Sequence, residues 1–369
     1  MSALRAPVMT TVPLALPVGI GIVGCNYGRL VQLPAFRLDP RCKVVALAGR
    51  EAERTAELAR AENIPLAFGS WEQLIEHPDV HVVCIATEPA LQPQVALRSL
   101  ELGKPVFAEK PMAADLATAR RMAAAADASG CTTMVDFNFC EILSWAKAKS
   151  LLDEGAIGRL RHVDVNWNVE NYATRMRLSN WKTSGAEGGG ALGNFVSHCF
   201  HYLEWFCGPI KGMSATISGL PDKPAMETNV GISMIFRSGA AGNLAMSCAS
   251  YLGSGHRIEF YGEEGTLTLI NETTDYMRGF RLSLGRRPAK AMDVISVTDD
   301  IDLQFPSDGR IAPVSRLAAR FLDGIGRGVP ATNGFREGLR VQALLDMARR
   351  ANELGHWLDT EPESQEGQP

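Results

Sequence analysis

The chain lacks much that would have assigned it to a class at once. None of its eight cysteines forms a CxxC pair. Cys25, Cys42, Cys84, Cys131, Cys140, Cys199, Cys207 and Cys248 read instead as thiols of a reducing compartment, with the cytoplasm as the simplest location. No apolar run is long enough to span a bilayer. The opening "MSALRAPVMTTVPLALP" has one basic residue and an apolar part broken by Pro13 and Pro17. It makes a poor signal peptide, lacks a twin-arginine pair, and reads as a flexible extension over residues 1–17. There is no internal repeat. A net charge of -4 offers no general attraction to nucleic acid or to an anionic membrane.

What is present is ordinary in bulk and informative in order. A chain of 369 residues, 46% hydrophobic and 21% charged, supports two domains with large cores. The first third alternates apolar strands ("VGIGIV", "CKVVALAG", "VHVVCIAT", "PVFAE", "TTMVDF") with helices ("REAERTAELARAEN", "PQVALRSLELG", "DLATARRMAAAADASG"). That alternation predicts a parallel sheet covered on both faces, over residues 18–138. After Phe139 comes a helix over 142–153, then strands that alternate apolar and polar residues ("LRHVDVNWNVE", "KGMSATISG", "NVGISMIFRSG", "AAGNLAMSCAS", "HRIEFYGEEGTLTLI"). They predict a large, mainly antiparallel sheet with one open face. Helices over 313–327 and 336–353 close this second domain, 139–358, and can pack back on the first. The tail, 359–369, reads as disordered. The fold class is therefore α/β.

The turn after the first strand reads Gly24-Cys25-Asn26-Tyr27-Gly28. It stands where a dinucleotide-binding loop belongs, with Asn26 replacing the second glycine and Gly28 one place early. Asparagine is the best substitute for glycine in a left-handed backbone, and Gly28 can supply close approach. An ordinary strand-to-helix loop is the other reading. At the end of the second strand, Gly49 and Arg50 stand where an NAD site usually places an acid, and Arg54 follows one turn on. Arginines suit a 2′-phosphate and favour NADP(H) over NAD(H). Alternatively they are a solvated helix start, with Glu51 and Glu53 diluting their charge.

"GKPVFAEKP", residues 103–111, resembles the "GKHVxxEKP" signature of the glucose-fructose oxidoreductase / inositol dehydrogenase / rhizopine-catabolism (Gfo/Idh/MocA) family. "GCNYGRLVQLPAF", "LLDEGAIGRLRHV", "WKTSGAEGGGALGNFVSHCFHYLEWFCG", "IEFYGEEGTLTL" and "REGLRVQALLDMARRANELGHWL" are similar to further segments of it. The resemblance spans about residues 18 to 357. It implies a Rossmann domain, a C-terminal α/β domain whose open sheet face commonly makes a dimer or tetramer contact, and nicotinamide chemistry on sugars, cyclitols or related polyols. Cofactor contacts are then expected from Gly24, Asn26, Tyr27, Gly28, Arg50, Arg54, Thr87, Glu109 and Lys110.

Lys110 follows the fourth apparent strand at its carboxyl end. In the family this lysine hydrogen-bonds the reacting oxygen, where an ammonium stabilises a developing alkoxide. After Gly188-Gly189-Gly190, the residues Leu192, Phe195, Val196, Cys199, Tyr202, Leu203 and Phe206 form a core stripe. Asn194, His198, His201 and Trp205 form a second stripe. Alone it reads as a solvent face; the resemblance makes it a substrate-cleft face. His198 matches the family's acid/base histidine, and Lys182 a basic position that contacts substrate hydroxyls. Trp181 is either a face for a sugar ring or a core tryptophan. The departures are Asn194 and His201 for aspartates, Gln92 for a loop histidine, and Cys140 for an arginine. Asn194, His201, Lys182, Gln92 and Trp181 are thus the expected substrate contacts. His198, Cys199, His201 and Cys207 have no carboxylate or third ligand at suitable spacing, so no metal site is read. The partner is a small-molecule polyol or sugar. A dinucleotide-bound regulator without turnover is the competing function.

Overall fold

The computed structural model describes residues 16–329 and 331–360; residues 1–15 of the expected extension over 1–17, and most of the tail, lie outside them. The chain divides into two compact units, the first comprising residues 1–141 and 299–342 and the second 142–298 and 343–369. Residues 299–342 thus group with the first unit, where the expected boundary at 138/139 left the final helices free to pack back on the first domain.

The first unit holds a parallel six-stranded sheet in the order β3-β2-β1-β4-β5-β6. Its strands are β1 (Val18–Val23), β2 (Cys42–Ala48), β3 (Leu66–Phe68), β4 (Val82–Ile85), β5 (Val106–Ala108) and β6 (Thr133–Val135). Every residue of β1 and β4 is buried, as a strand covered on both faces requires. Intervening helices are α1 (Leu33–Arg37), α2 (Ala52–Ala61), α3 (Trp71–Glu76), α4 (Gln92–Glu101) and α5 (Leu116–Ser129). Asp115 caps α5 by accepting from Thr118 N, and Gly130 ends it in the left-handed region, the start and stop chemistry expected of a helix. Short β3 and α3 carry little periodic signal and escaped the sequence reading. Lys110 therefore follows the fifth strand, not the fourth.

Residues 299–342 return because of what they can bury. Helix α6 (Leu143–Asp153), α7 (Tyr172–Arg175) and α8 (Ser197–Cys207) belong to the second unit, whereas α9 (Asp300–Gln304) and α10 (Ile311–Arg327) join the first. Val314, Leu317 and Phe321 of α10 share one apolar cluster with Val18, Ile20 and Phe107. Phe107 takes Phe36 and Phe321 edge-on at 5.4 and 5.7 Å, a favoured aromatic geometry.

The second unit is built on a nine-stranded sheet. Its strands are β7 (Leu160–Asn168), β8 (Ile210–Leu220), β9 (Lys223–Phe236), β10 (Ala241–Ser247), β11 (Gly255–Gly262), β12 (Gly265–Asn271), β13 (Arg281–Arg286), β14 (Asp293–Ile295) and β15 (Leu358–Asp359). The order is β14-β13-β12-β11-β7-β10-β9-β8-β15, antiparallel except where β10 runs parallel to β7. Strand β15 places Asp359 opposite Gly212, which corrects the expected start of the tail. The last helix, α11 (Phe335–Leu354), begins in the first unit and continues past its limit at Gln342.

The alternation in β9 and β10 separates buried Val230, Ile232, Met234, Leu244 and Met246 from exposed Asn229, Ser233 and Asn243. The polar face is knitted by side chains: Asn243 Nδ2 donates to Asp164 Oδ1 at 3.0 Å. It is a shallow depression of about 810 Å³, lined in part by Asn166, Thr216 and His356. On the apolar face, Trp145 of α6 meets Tyr202 of α8 at 5.0 Å, and the Trp167 and His256 rings stack at 4.2 Å. Among the described residues, no helix is long and apolar enough to cross a membrane.

Candidate active site

Strand order reverses between β1 and β4 in the first unit, and the carboxyl ends of an open parallel sheet bind ligands at such a point. The glycine turn follows β1 there. Gly24 has φ +123°, and a Cβ on it would lie 2.3 Å from the carbonyl oxygen of Ala86. This position requires glycine. Gly28 opens a π-helical turn, Gly28–Gln32, that leads into α1. A Cβ on Gly28 would meet Ile22 Cγ2 at 2.6 Å, so its missing side chain serves close packing of helix on strand. Asn26 needs no left-handed backbone: the left-handed non-glycine positions described are Asn63, Arg177, Leu252 and Asn333. The asparagine is tolerated because the turn bends at Gly24 and enters the π turn directly.

Tyr27 turns inward. Its hydroxyl donates to Asp136 Oδ2 at 3.0 Å and accepts from Asn138 Nδ2 at 3.3 Å, while the Arg310 guanidinium lies 5.3 Å over its ring. Past β2, Arg50 is exposed. Arg54 is also exposed and stands 3.8 Å from Glu51. Thr87 lies in the loop after β4, its hydroxyl donating to the Glu88 carbonyl at 3.4 Å.

Lys110 is half-buried at the end of β5, and its bond to Pro111 is cis. Gln92 holds this loop. Its Nε2 donates to the carbonyls of Glu109, Pro111 and Met112 at 2.6, 3.1 and 3.1 Å, and its Oε1 accepts from Glu109 N at 2.8 Å. Gln92 is fully buried. The expectation that it contacts substrate is corrected: every hydrogen-bonding atom of the amide is spent on the lysine loop. Glu109 accepts from Gln32 Nε2 at 3.1 Å and contacts Asp136. Burial pushes both carboxyls above the usual carboxylate range, Glu109 well above it, against the opposing pull of Lys110.

In the second unit, Trp181 and Lys182 open a short 3-10 turn, Trp181–Thr183, capped by Asn180. Lys182 is exposed and Trp181 half-buried, with the ammonium 5.9 Å from that ring. The triple-glycine loop that follows is fastened from below. Arg349 Nη1 donates to Glu227 Oε1 at 2.5 Å and its Nη2 to the Gly185 carbonyl at 3.1 Å. The Glu227 carboxylate fills the space that a side chain at Gly185 or Gly190 would need.

Helix α8 is preceded by a second π turn, Leu192–Val196. It adds a residue to the helical count, so the step from Asn194 to His198 is not one α-helical turn. Asn194 Nδ2 donates to the carbonyls of Lys182 and Gly190 at 2.6 and 3.2 Å. His198 and His201 are buried and Trp205 half-buried, so the supposed solvent face is largely enclosed. Tyr202, on the core stripe, shares a 3.0 Å hydrogen bond with His256 Nε2.

The sequence reading missed Gln32, Asp136, Arg310, Glu227 and Arg349. Asp136 alone left a local signal, as the acid that ends the apolar run "TTMVDF". The others are joined to their partners only by the fold.

Two family models match the chain. One, an oxidoreductase family with an NAD-binding Rossmann fold, covers residues 18–137; the other, a GFO/IDH/MocA C-terminal domain, covers residues 145–268. An uncharacterized oxidoreductase of Synechocystis sp. is 28% identical, over 92% of this chain and 95% of its own. The trans-1,2-dihydrobenzene-1,2-diol dehydrogenase of Sus scrofa is 30% identical over 68% of this chain and 73% of its own. A solved levoglucosan dehydrogenase, in complex with NADH and levoglucosan, superposes with a TM-score of 0.82 at 21% identity, over 93% of this chain and 99% of its own. The chain belongs to the Gfo/Idh/MocA family of oxidoreductases.

Proposed function

We propose that the protein transfers hydride between NADP(H) and a hydroxyl or carbonyl of a sugar, cyclitol or nucleotide-linked sugar, with Lys110 and His198 managing the proton. The observation that carries this reading is the half-buried Lys110 at the carboxyl end of β5, its loop clasped by Gln92. The residues around the Gly24 turn fit a dinucleotide. The turn has no room for a Cβ at Gly24, and it feeds a helix start at the strand-order reversal, where free N–H groups attract a pyrophosphate. Gly24, Asn26 and Gly28 would hold the phosphates, and Thr87 and Lys110 would border the nicotinamide end. Tyr27 and Glu109 support that surface from within. Bound there, the nicotinamide supplies a hydride acceptor or donor. In the oxidising direction the chain's task is to take the hydroxyl proton, and in reverse to return it. An ammonium at Lys110 holds the oxygen as negative charge develops, and the His198 imidazole exchanges the proton.

Exposed Arg50 and Arg54, with no acid at residues 49–50, favour the 2′-phosphate of NADP(H). Relatives named for a dihydrodiol and for levoglucosan support a hydroxyl-bearing small molecule. Asn194, His201, Lys182 and Trp181 are assigned to substrate recognition. The open face of the second unit's sheet is assigned to pairing of copies into a dimer or tetramer.

The test combines nicotinamide fluorescence titration with turnover on a panel containing levoglucosan and cyclitols. Lys110→Met and His198→Ala are each expected to lower kcat by about 10²–10⁴ while NADPH binding persists. Full activity in both variants would overturn the assignment.

A further inference from the structure

The ends of β5 and β6, neighbours in the first sheet, bring two acids together behind Lys110. Glu109 and Asp136 are in hydrogen-bond contact. A carboxylate has no hydrogen to donate, so contact between two carboxyl groups calls for a proton on one of them. Asp136 is 1% exposed, and its Oδ2 is taken by Tyr27. Its Oδ1 is buried and receives no hydrogen bond from any described residue. A proton on Glu109 would give the contact between the two carboxyl groups the donor it needs. Glu109 as a residue is half-buried, but its carboxyl is enclosed, and ionisation follows the carboxyl.

The groups facing the pair come from every neighbouring element. Lys110 follows β5, Arg310 immediately precedes α10, Cys84 lies on β4, Tyr27 and Gln32 come from the turn after β1, and Asn138 follows β6. The Lys110 charge acts on both acids. Coulomb interaction is mutual, so the charge of the pair acts equally on Lys110.

We propose that Glu109 and Asp136 hold one proton between them and present a single negative charge to Lys110, making Asp136 a positioning residue for that lysine. The role rests on the reading of Lys110 given above; the shared proton does not. Two ionised carboxylates in contact would repel in a site closed to water. With two protons bound, the pair would give the ammonium no counter-charge. One proton balances one cation and lets Tyr27 tie the cofactor turn to the lysine loop.

The test uses the full chain without substrate. Infrared spectra at neutral pH, with deuterium exchange to identify the band, are compared for the parent, Glu109→Gln and Asp136→Asn. The Lys110 titration is read separately, from the pH dependence of its acetylation by acetic anhydride, with peptide mass spectrometry. The parent is expected to show a protonated carboxylic acid band that each single substitution removes. Either amide can donate to the remaining carboxyl, which then ionises, so the charge facing Lys110 stays the same. Each single variant should therefore leave the Lys110 titration in place. The double variant removes the last negative charge and should lower its midpoint by about one to three pH units. Absence of the acid band from the parent overturns the proposal, as does a single variant that shifts Lys110 as far as the double. If the pattern holds but Lys110→Met keeps full dehydrogenase activity, the shared proton stands and the catalytic reading of Lys110 falls.

Discussion

In the first unit, the buried titratable centre beside the glycine turn is acidic, Glu109 with Asp136. In the second, the corresponding centre under α8 is the base His256. Each lies next to an element that begins with a π turn. The acids are held by polar donors from Gln32 and Tyr27 and face the Lys110 charge. The histidine is enclosed by Trp145, Trp167, Tyr202 and Phe280, and burial lowers its pKa to about 3. One environment retains protons and the other excludes them. The first surrounds a proposed catalytic cation, whereas the second keeps a neutral ring that completes an aromatic core. Burial has opposite consequences in the two units because it opposes charge, and an acid and a base become neutral at opposite ends of the pH scale.

The two π turns also differ in what they depend on. The first depends on the backbone, through Gly24, and the second on a side chain, through Asn194. Gly24→Ala should have the largest effect. A Cβ would impose a strained φ and a clash with the Ala86 carbonyl, together about 4 kcal/mol. Chemical denaturation should show the loss, and fluorescence titration should show that nicotinamide binding has gone. Normal NADPH binding by the Gly24→Ala variant would show that the first π turn does not depend on this glycine.

Acid should separate the units next. His256 has a lowered folded pKa, so its contribution is complete above the unfolded histidine value and is lost as pH falls from there toward about 3. Glu109 and Asp136 have raised folded pKa values, so their contribution is complete below the unfolded carboxylate range and is lost as pH rises through the folded values. At about pH 4.5 the His256 penalty alone reaches about 3 kcal/mol. Hydrogen exchange, corrected for its intrinsic pH dependence, should show β7, β11 and α8 losing protection while β4, β5 and β6 keep theirs. Equal loss in both units would remove the contrast.

Asn194→Asp tests the second π turn, and it restores the aspartate that the family resemblance implies. The substitution is expected to do harm. It removes the Nδ2 donor and turns a carboxylate toward the Lys182 and Gly190 carbonyls, a loss of about 2 kcal/mol. A lower melting temperature with reduced kcat is expected. A gain in activity at unchanged stability would show that Asn194 is a lost catalytic acid rather than a fastening for the loop.

The sheets were legible because strand periodicity is local: "VGIGIV" and "NVGISMIF" each carry their burial pattern in their own letters. The places of Lys110, just past a strand, and of His198, on a helix, were legible from their neighbouring residues, while their roles belong to the proposal. Gln92 was misread because its position in a loop resemblance says nothing of side-chain direction, and its amide turns back to four backbone groups of the lysine loop. The π turns were invisible because a helical count assumes 3.6 residues per turn throughout. Asp136 gains its meaning only when β6 is laid beside β5, a pairing between residues far apart in the chain. The return of residues 299–342 to the first unit was open as an option but not fixed, since α10 shows an apolar face but not what that face covers.

The smallest predicted effect bears on the rim of the first unit, where burial no longer decides. Arg50 and Arg54 are exposed, and Glu51 lies 3.8 Å from Arg54. A pair of this kind contributes little to stability, so Arg50→Ala with Arg54→Ala should leave the melting temperature unchanged. The arginines should matter only when a 2′-phosphate offers oxygens to their forked donors. The double variant is expected to weaken NADPH binding about tenfold, near 1.4 kcal/mol, and to leave NADH binding as it was. Added salt should shrink the difference, because exposed charges are screened. If both nucleotides weakened together, the arginines would be serving the turn as a whole. If neither changed, they would be a solvated helix start, and the preference for NADP(H) would lose its physical basis while the Gly24 turn kept its own.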